Sequence, residues 1–136
     1  MTAPLLDTNI LVYAFTDDPR SATAQALLSE PFILSVQALN EFANVARRKL
    51  CMSWAEIRVA IGDLSALAAA VVPIDKNCNS FALDLAARYN FSVFDALMIA
   101  TALQAGSEQC FSEDMQHGLM VDGRLVILNP FVELRS

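Results

Sequence analysis

The sequence predicts a single α/β domain with a central, mainly parallel sheet of four to five short strands flanked by helices. Three observations predict it. Short apolar runs alternate with longer stretches of helical periodicity, the signature of strand–helix–strand units rather than of hairpins. No internal repeat, low-complexity tract or Gly/Ser linker divides the chain. Its 136 residues are the length of one domain, which buries about two-thirds of the surface its unfolded chain exposes, so residues 1–136 are expected to form one unit.

The elements follow in order. Residues 4–6 form the first apolar strand, and a short helix over 9–15 follows directly. Asp17-Asp18-Pro19 breaks that helix and caps the next, over 20–28. Residues 32–34 form a second strand, and Ser35 caps a helix that reaches Lys49. Ser53-Trp54-Ala55-Glu56 has the spacing of a capping box and starts a helix over 54–69. Residues 71–74 form a third strand whose Pro73, lacking an N–H, places it near a sheet edge. Residues 79–89 form a helix, and 94–105 another that is apolar almost all round, so it is expected to be buried. Gly106 ends it. Residues 109–111 form a strand, 112–123 a polar loop, and 125–128 the last strand before Asn129-Pro130.

Composition narrows the chemistry. The hydrophobic content is 55% and the mean hydropathy +0.42, yet the longest nearly apolar stretch, residues 64–72, is closed by Asp63 and Pro73, far short of the roughly 20 residues of a membrane span. Residues 1–6 carry no basic residue ahead of an apolar core and do not read as a secretion signal, so a cytoplasmic location and no membrane association are expected. Cys51, Cys78 and Cys110 are odd in number and widely spaced, which fits reduced core thiols. With one histidine, His117, and no C-x-x-C pair, the ligands of a typical four-coordinate zinc site are missing; a metal here is held by oxygen. The four glycines form neither a phosphate-binding loop nor a dinucleotide turn. The net charge of −6 opposes simple electrostatic binding of nucleic acid; the basic run Arg47-Arg48-Lys49 is the local exception, and it serves equally as a solvated helix C-terminus.

Four acids stand where an α/β fold gathers ligands, beyond the carboxyl ends of strands. Asp7 ends the first strand, where it also suits the N-cap of the following helix. Glu41 lies in the third helix off its apolar stripe of Leu39, Phe42, Ala43, Ala46 and Leu50, with Arg48 two turns on along the same face. Asp95 opens the most apolar helix, and Ser92 three residues before it also matches a cap. Asp114 follows the penultimate strand in a loop. Singly, each has a structural explanation; jointly, they recur at successive strand-to-helix or strand-to-loop junctions. Clustered carboxylates repel unless some take up protons, and a hard divalent ion such as Mg²⁺ removes that conflict while leaving room for waters and a phosphate.

Asp7-Thr8-Asn9 after an apolar strand, Glu41 in the third helix, the run from Phe94-Asp95 to Ala102, and Ser112-Glu113-Asp114 together resemble the PIN domain, and most of all the VapC-like toxin ribonucleases of type II toxin–antitoxin pairs. The resemblance covers essentially the whole chain. It implies a metal-dependent endoribonuclease in which Asp7, Asp95 and Asp114 bind Mg²⁺ or Mn²⁺, Glu41 acts as a further ligand or positions the attacking water, and Thr8, Asn9 and Ser112 support the acids by hydrogen bonds. It also implies an RNA substrate, a cognate antitoxin and a homodimer. The last motif departs from the family pattern, with Ser112 where Thr is common and Met115-Gln116-His117 in place of a downstream Phe. Two other readings remain: a PIN-fold binding module without catalysis, which the presence of all four acids disfavours, and an aspartyl phosphotransfer domain, which lacks a second Asp at position 9 and a Lys after Lys76.

Overall fold

The computed structural model describes residues 2–132. Six strands form one sheet in the order β3-β2-β1-β4-β6-β5: β1 (Leu5–Leu6), β2 (Ile33–Ser35), β3 (Ala70–Val72), β4 (Gln109–Phe111), β5 (Met120–Val121) and β6 (Leu125–Leu128). Neighbours run parallel, with Leu5 opposite both Ile33 and Cys110, except that β5 runs antiparallel to β6. The sheet therefore has one strand beyond the expected four to five. The extra strand lies inside the stretch expected to be a polar loop, and two residues are too few to show a periodicity. Its sequence signal was the following Asp122-Gly123, a turn dipeptide. Both residues take positive φ, 53° and 64°, and the Arg124 N–H donates to the Val121 carbonyl at 3.0 Å. That geometry closes a tight turn about Asp122-Gly123 and leaves three residues, 122–124, between Val121 and its partner Leu125.

Among the described residues six helices accompany the strands: α1 (Thr8–Ala14), α2 (Ser21–Leu28), α3 (Val36–Arg48), α4 (Trp54–Leu67), α5 (Lys76–Tyr89) and α6 (Val93–Gln104). Serines expected as caps act as caps: Ser35 accepts from the Ala38 N–H, Ser92 from the Asp95 N–H, and Ser53 and Glu56 complete a reciprocal capping box. Helix α5 starts three residues before the expected position because Asp75 accepts from the Cys78 N–H at 2.8 Å. Arg20 precedes α2 without a side-chain cap; Asp18 instead accepts from the Arg20 N–H, folding the turn that leads into the helix. The third strand is at the sheet edge, as Pro73 suggested, but ends at Val72, before the proline.

The core lies between sheet and helices. In α6 every residue from Ala96 to Leu103 is buried, so the all-round apolar reading holds, and its neighbour across the packed surface is α5. Leu5, Leu6, Ile10, Leu11, Phe32, Leu34 and Phe42 have no exposed surface, and burying each such side chain contributes about 1.5–3 kcal/mol. Strands β1 and β4 are thereby held side by side in the centre, and their carboxyl ends open on the same rim. Cys78 and Cys110 are buried thiols, but Cys51 is exposed. It occupies the turn between α3 and α4 with φ 55°, outside the core where all three thiols were expected.

Candidate active site

Asp7 sits where β1 becomes α1 and does two things at once. One carboxylate oxygen accepts from the Thr8 N–H at 2.7 Å, capping α1, and the other accepts from Ser112 Oγ at 2.7 Å. Ser112 follows β4, so the parallel pairing of β1 with β4 is what brings these distant residues together. Asp7 is only 6% exposed. Burial, which penalises the charged form, outweighs these two hydrogen bonds and, with the charges of Asp95 and Glu41, pushes its carboxyl up to about 6.

The other acids approach from three further elements. Thr8 Oγ1 donates to Glu41 Oε2 at 2.5 Å, and Gln37, one turn before Glu41 on α3, donates weakly to Oε1 at 3.4 Å. Asp95 is half-buried at the start of α6. Its carboxyl is raised chiefly by burial and further by the charges of Asp114 and Glu41, against a lowering contact with Ser92. Asp114 is exposed; Asn9 Nδ2 donates to its Oδ2 at 3.1 Å, and its own N–H donates to Ser112 Oγ at 3.2 Å. Asp7, Glu41, Asp95 and Asp114 thus form one electrostatically connected set, and Thr8, Asn9 and Ser112 are hydrogen-bonded to members of it. As the side chains stand, no three His, Cys, Asp or Glu groups among the described residues are close enough together to hold one metal ion.

Beside the acids lies a cavity of about 420 Å³. Thr8, Asn9, Val12 and Tyr13 of α1 form one wall, Glu41, Asn44 and Val45 of α3 the other, with Lys49 and Asp114 also on its lining. The basic run is divided by this arrangement. Lys49 lines the cavity, whereas the Arg47 guanidinium lies over the Trp54 ring at 4.9 Å and donates to the Met52 carbonyl. Arg48 is exposed on the last turn of α3. A larger cavity of about 570 Å³ lies near the start of β4, lined by Glu108, Gln109, Arg124 and neighbours, at the other end of the strands from the acids.

Sequence reasoning passed over Glu113, which is nearly enclosed. Tyr13 Oη donates to its Oε1 at 2.6 Å and Arg20 Nε pairs with Oε2 at 2.7 Å. The Arg20 guanidinium also lies over the Tyr13 ring at 4.9 Å. Burial and the Glu113 carboxylate together push the Tyr13 hydroxyl up to about 12, so it stays a donor at neutral pH. A tyrosine seven residues before an arginine gave no sign of this meeting, because the third member lies 100 residues on. His117 is exposed, and its Nδ1 accepts from the Asn129 N–H at 2.9 Å.

The family model described as the PIN domain matches residues 5–117. No curated protein matches the chain. Among solved structures, a toxin–antitoxin complex from Klebsiella pneumoniae superposes with a TM-score of 0.72 at 20% identity, covering 94% of this chain and 98% of that one. VapC20 of Mycobacterium tuberculosis, described as a toxin that cleaves the sarcin–ricin loop, gives 0.68 at 23% identity over 82% and 92%. VapBC2 of Rickettsia felis, bound to a DNA fragment from its promoter, gives 0.68 at 15% identity over 94% and 98%. At these identities the likeness is one of fold.

Proposed function

The chain belongs to the PIN domain family, and from that premise we propose that it is a metal-dependent endoribonuclease, the toxin of a toxin–antitoxin pair, that hydrolyses RNA phosphodiester bonds. The observation that carries this reading is the connected set of four carboxylates at the rim formed by β1 and β4. Two of them, Asp7 and Asp95, are raised from their ordinary value by burial and by neighbouring acids of the set, a conflict that a bound cation relieves.

The donor set fits a hard cation, since it offers carboxylate oxygens and no soft ligand. Asp7, Asp95 and Asp114 would hold Mg²⁺ or Mn²⁺, with Glu41 beside them. Such an ion, when bound, supplies charge neutralisation at the phosphoryl group and lowers the pKa of a coordinated water.

The chain's own residues do the rest. Ser112 and the Thr8 N–H fix both oxygens of Asp7, so its position needs no reorganisation when substrate arrives. Thr8 fixes Glu41 through one oxygen and leaves the other weakly engaged with Gln37, which suits a carboxylate that serves as a further ligand or positions the attacking water. Asn9 and Ser112 hold the loop of Asp114 against α1. A cognate antitoxin is supported by the solved complexes of similar fold, and a homodimer is part of the same reading. A cytoplasmic site of action agrees with the finding that no helix among the described residues is long and apolar enough to cross a membrane.

The test is cleavage of structured RNAs by the purified protein with and without Mg²⁺, beside an Asp7→Asn variant. Asparagine keeps the size and capping ability of Asp7 but not its charge. We expect discrete fragments that require the ion and are lost in the variant; equal cleavage by both proteins would count against the assignment.

A further inference from the structure

The acids account for only part of the cavity between α1 and α3. Its remaining lining is of a different character: Val12 and Val45 offer apolar surface, Asn44 an amide, and Lys49 an ammonium. No ion pair joins Lys49 to a described residue, whereas its neighbour Arg47 is engaged with Trp54 and Met52. In a chain of net charge −6, Lys49 is the one cation among the residues lining this cavity, where it offsets part of the repulsion that Glu41 and Asp114 exert on a polyanion. The volume of about 420 Å³ lies within the roughly 300–1,000 Å³ typical of small-molecule sites. It is a hollow for one unit of a polymer, and a base reaches such a hollow only when it is not stacked in a duplex.

We infer that this cavity is a subsite for a single unstacked nucleotide next to the scissile bond, with the Lys49 ammonium on a phosphate and the Asn44 amide against the base. The inference rests on the nuclease reading and deepens it. Lys49 supplies the phosphate contact, Arg47 does not, and Asn44 biases which base is accepted, because its amide carries both donor and acceptor.

The test is binding of a fluorescein-labelled single-stranded RNA of mixed sequence by the full chain, followed by anisotropy across a KCl series in CaCl2, with the RNA checked intact on a gel. Each phosphate neutralised on a single strand contributes about 0.7 to the slope of log affinity against log salt. Lys49→Gln is therefore expected to flatten that slope by about 0.7 and to weaken binding about tenfold at low salt. Arg47→Gln is expected to leave the slope unchanged, and Asn44→Ala to alter the ranking of oligo(A), oligo(C) and oligo(U). A duplex of the same sequence should bind without any effect of Lys49→Gln. Mg²⁺-dependent cleavage by the unaltered protein is measured alongside. Cleavage together with an unchanged Lys49→Gln slope, or an equal Lys49 effect on duplex, overturns the subsite alone; neither cleavage nor binding overturns the nuclease reading and the subsite with it.

Discussion

Asp7 concentrates the tension of the site in one side chain, being both a helix cap that gains from negative charge and a buried carboxyl that loses by it. Its folded-state value of about 6 lies above the ordinary 3.8, so the folded chain holds a proton there that the unfolded chain has released. Stability from this group is present at low pH and is lost as pH rises from about 4 to about 6. Two pK units correspond to about 3 kcal/mol. In EDTA, wild-type protein is therefore expected to lose melting temperature relative to Asp7→Asn across that window, the gap opening with pH; a gap that is the same at pH 4 and pH 7 in thermal melts would remove burial as its cause. The position of Asp7 at the end of an apolar strand was legible in the sequence. Its enclosure was not, because that depends on Ser112, which reaches it only through the pairing of β1 with β4.

At the scale of elements, Glu113 ties the loop of Asp114 to α1 through Tyr13 and to the turn before α2 through Arg20. Tyr13→Phe keeps the ring against Phe131 and deletes only the 2.6 Å hydrogen bond. Leaving one carboxylate oxygen without that donor should cost about 1–3 kcal/mol, read as a drop of several degrees in melting temperature. RNA cleavage should fall as well, since Asp114 rides on the same loop; a melting temperature equal to wild type would show the bond to be idle. Which elements could be read in advance follows from how local their causes are. The helices begun by Ser35, Ser53 and Ser92 were legible because a cap and its helix are adjacent in sequence. Asp75 was overlooked as the same signal, and the two-residue β5 was hidden in polar sequence although its Asp122-Gly123 turn announced a hairpin.

For the molecule as a whole, alternation of apolar runs and helical patterns sufficed for an α/β domain with a parallel sheet, and the ordered acids for the family. The strand order did not follow from either, since it depends on which crossover passes which face. The same global charge balance yields a prediction about folding. An ion that binds only the folded chain at about 100 times its Kd adds about 2.7 kcal/mol, so Mg²⁺ should raise the melting temperature by several degrees for a chain of this size. EDTA should reverse the rise, and Asp95→Asn should abolish it. Superimposable melts with and without the ion would leave the carboxylates without a cation to share.

The outermost strand on the β2 side is three residues long and is followed at once by an exiled imino acid. Past Val72 the backbone has Pro73, which cannot donate to another strand, so a foreign chain trying to zip onto this border would find a ladder of few rungs. In a protein with more than half its residues hydrophobic, this border of the sheet is thereby a poor template for pairing with other chains.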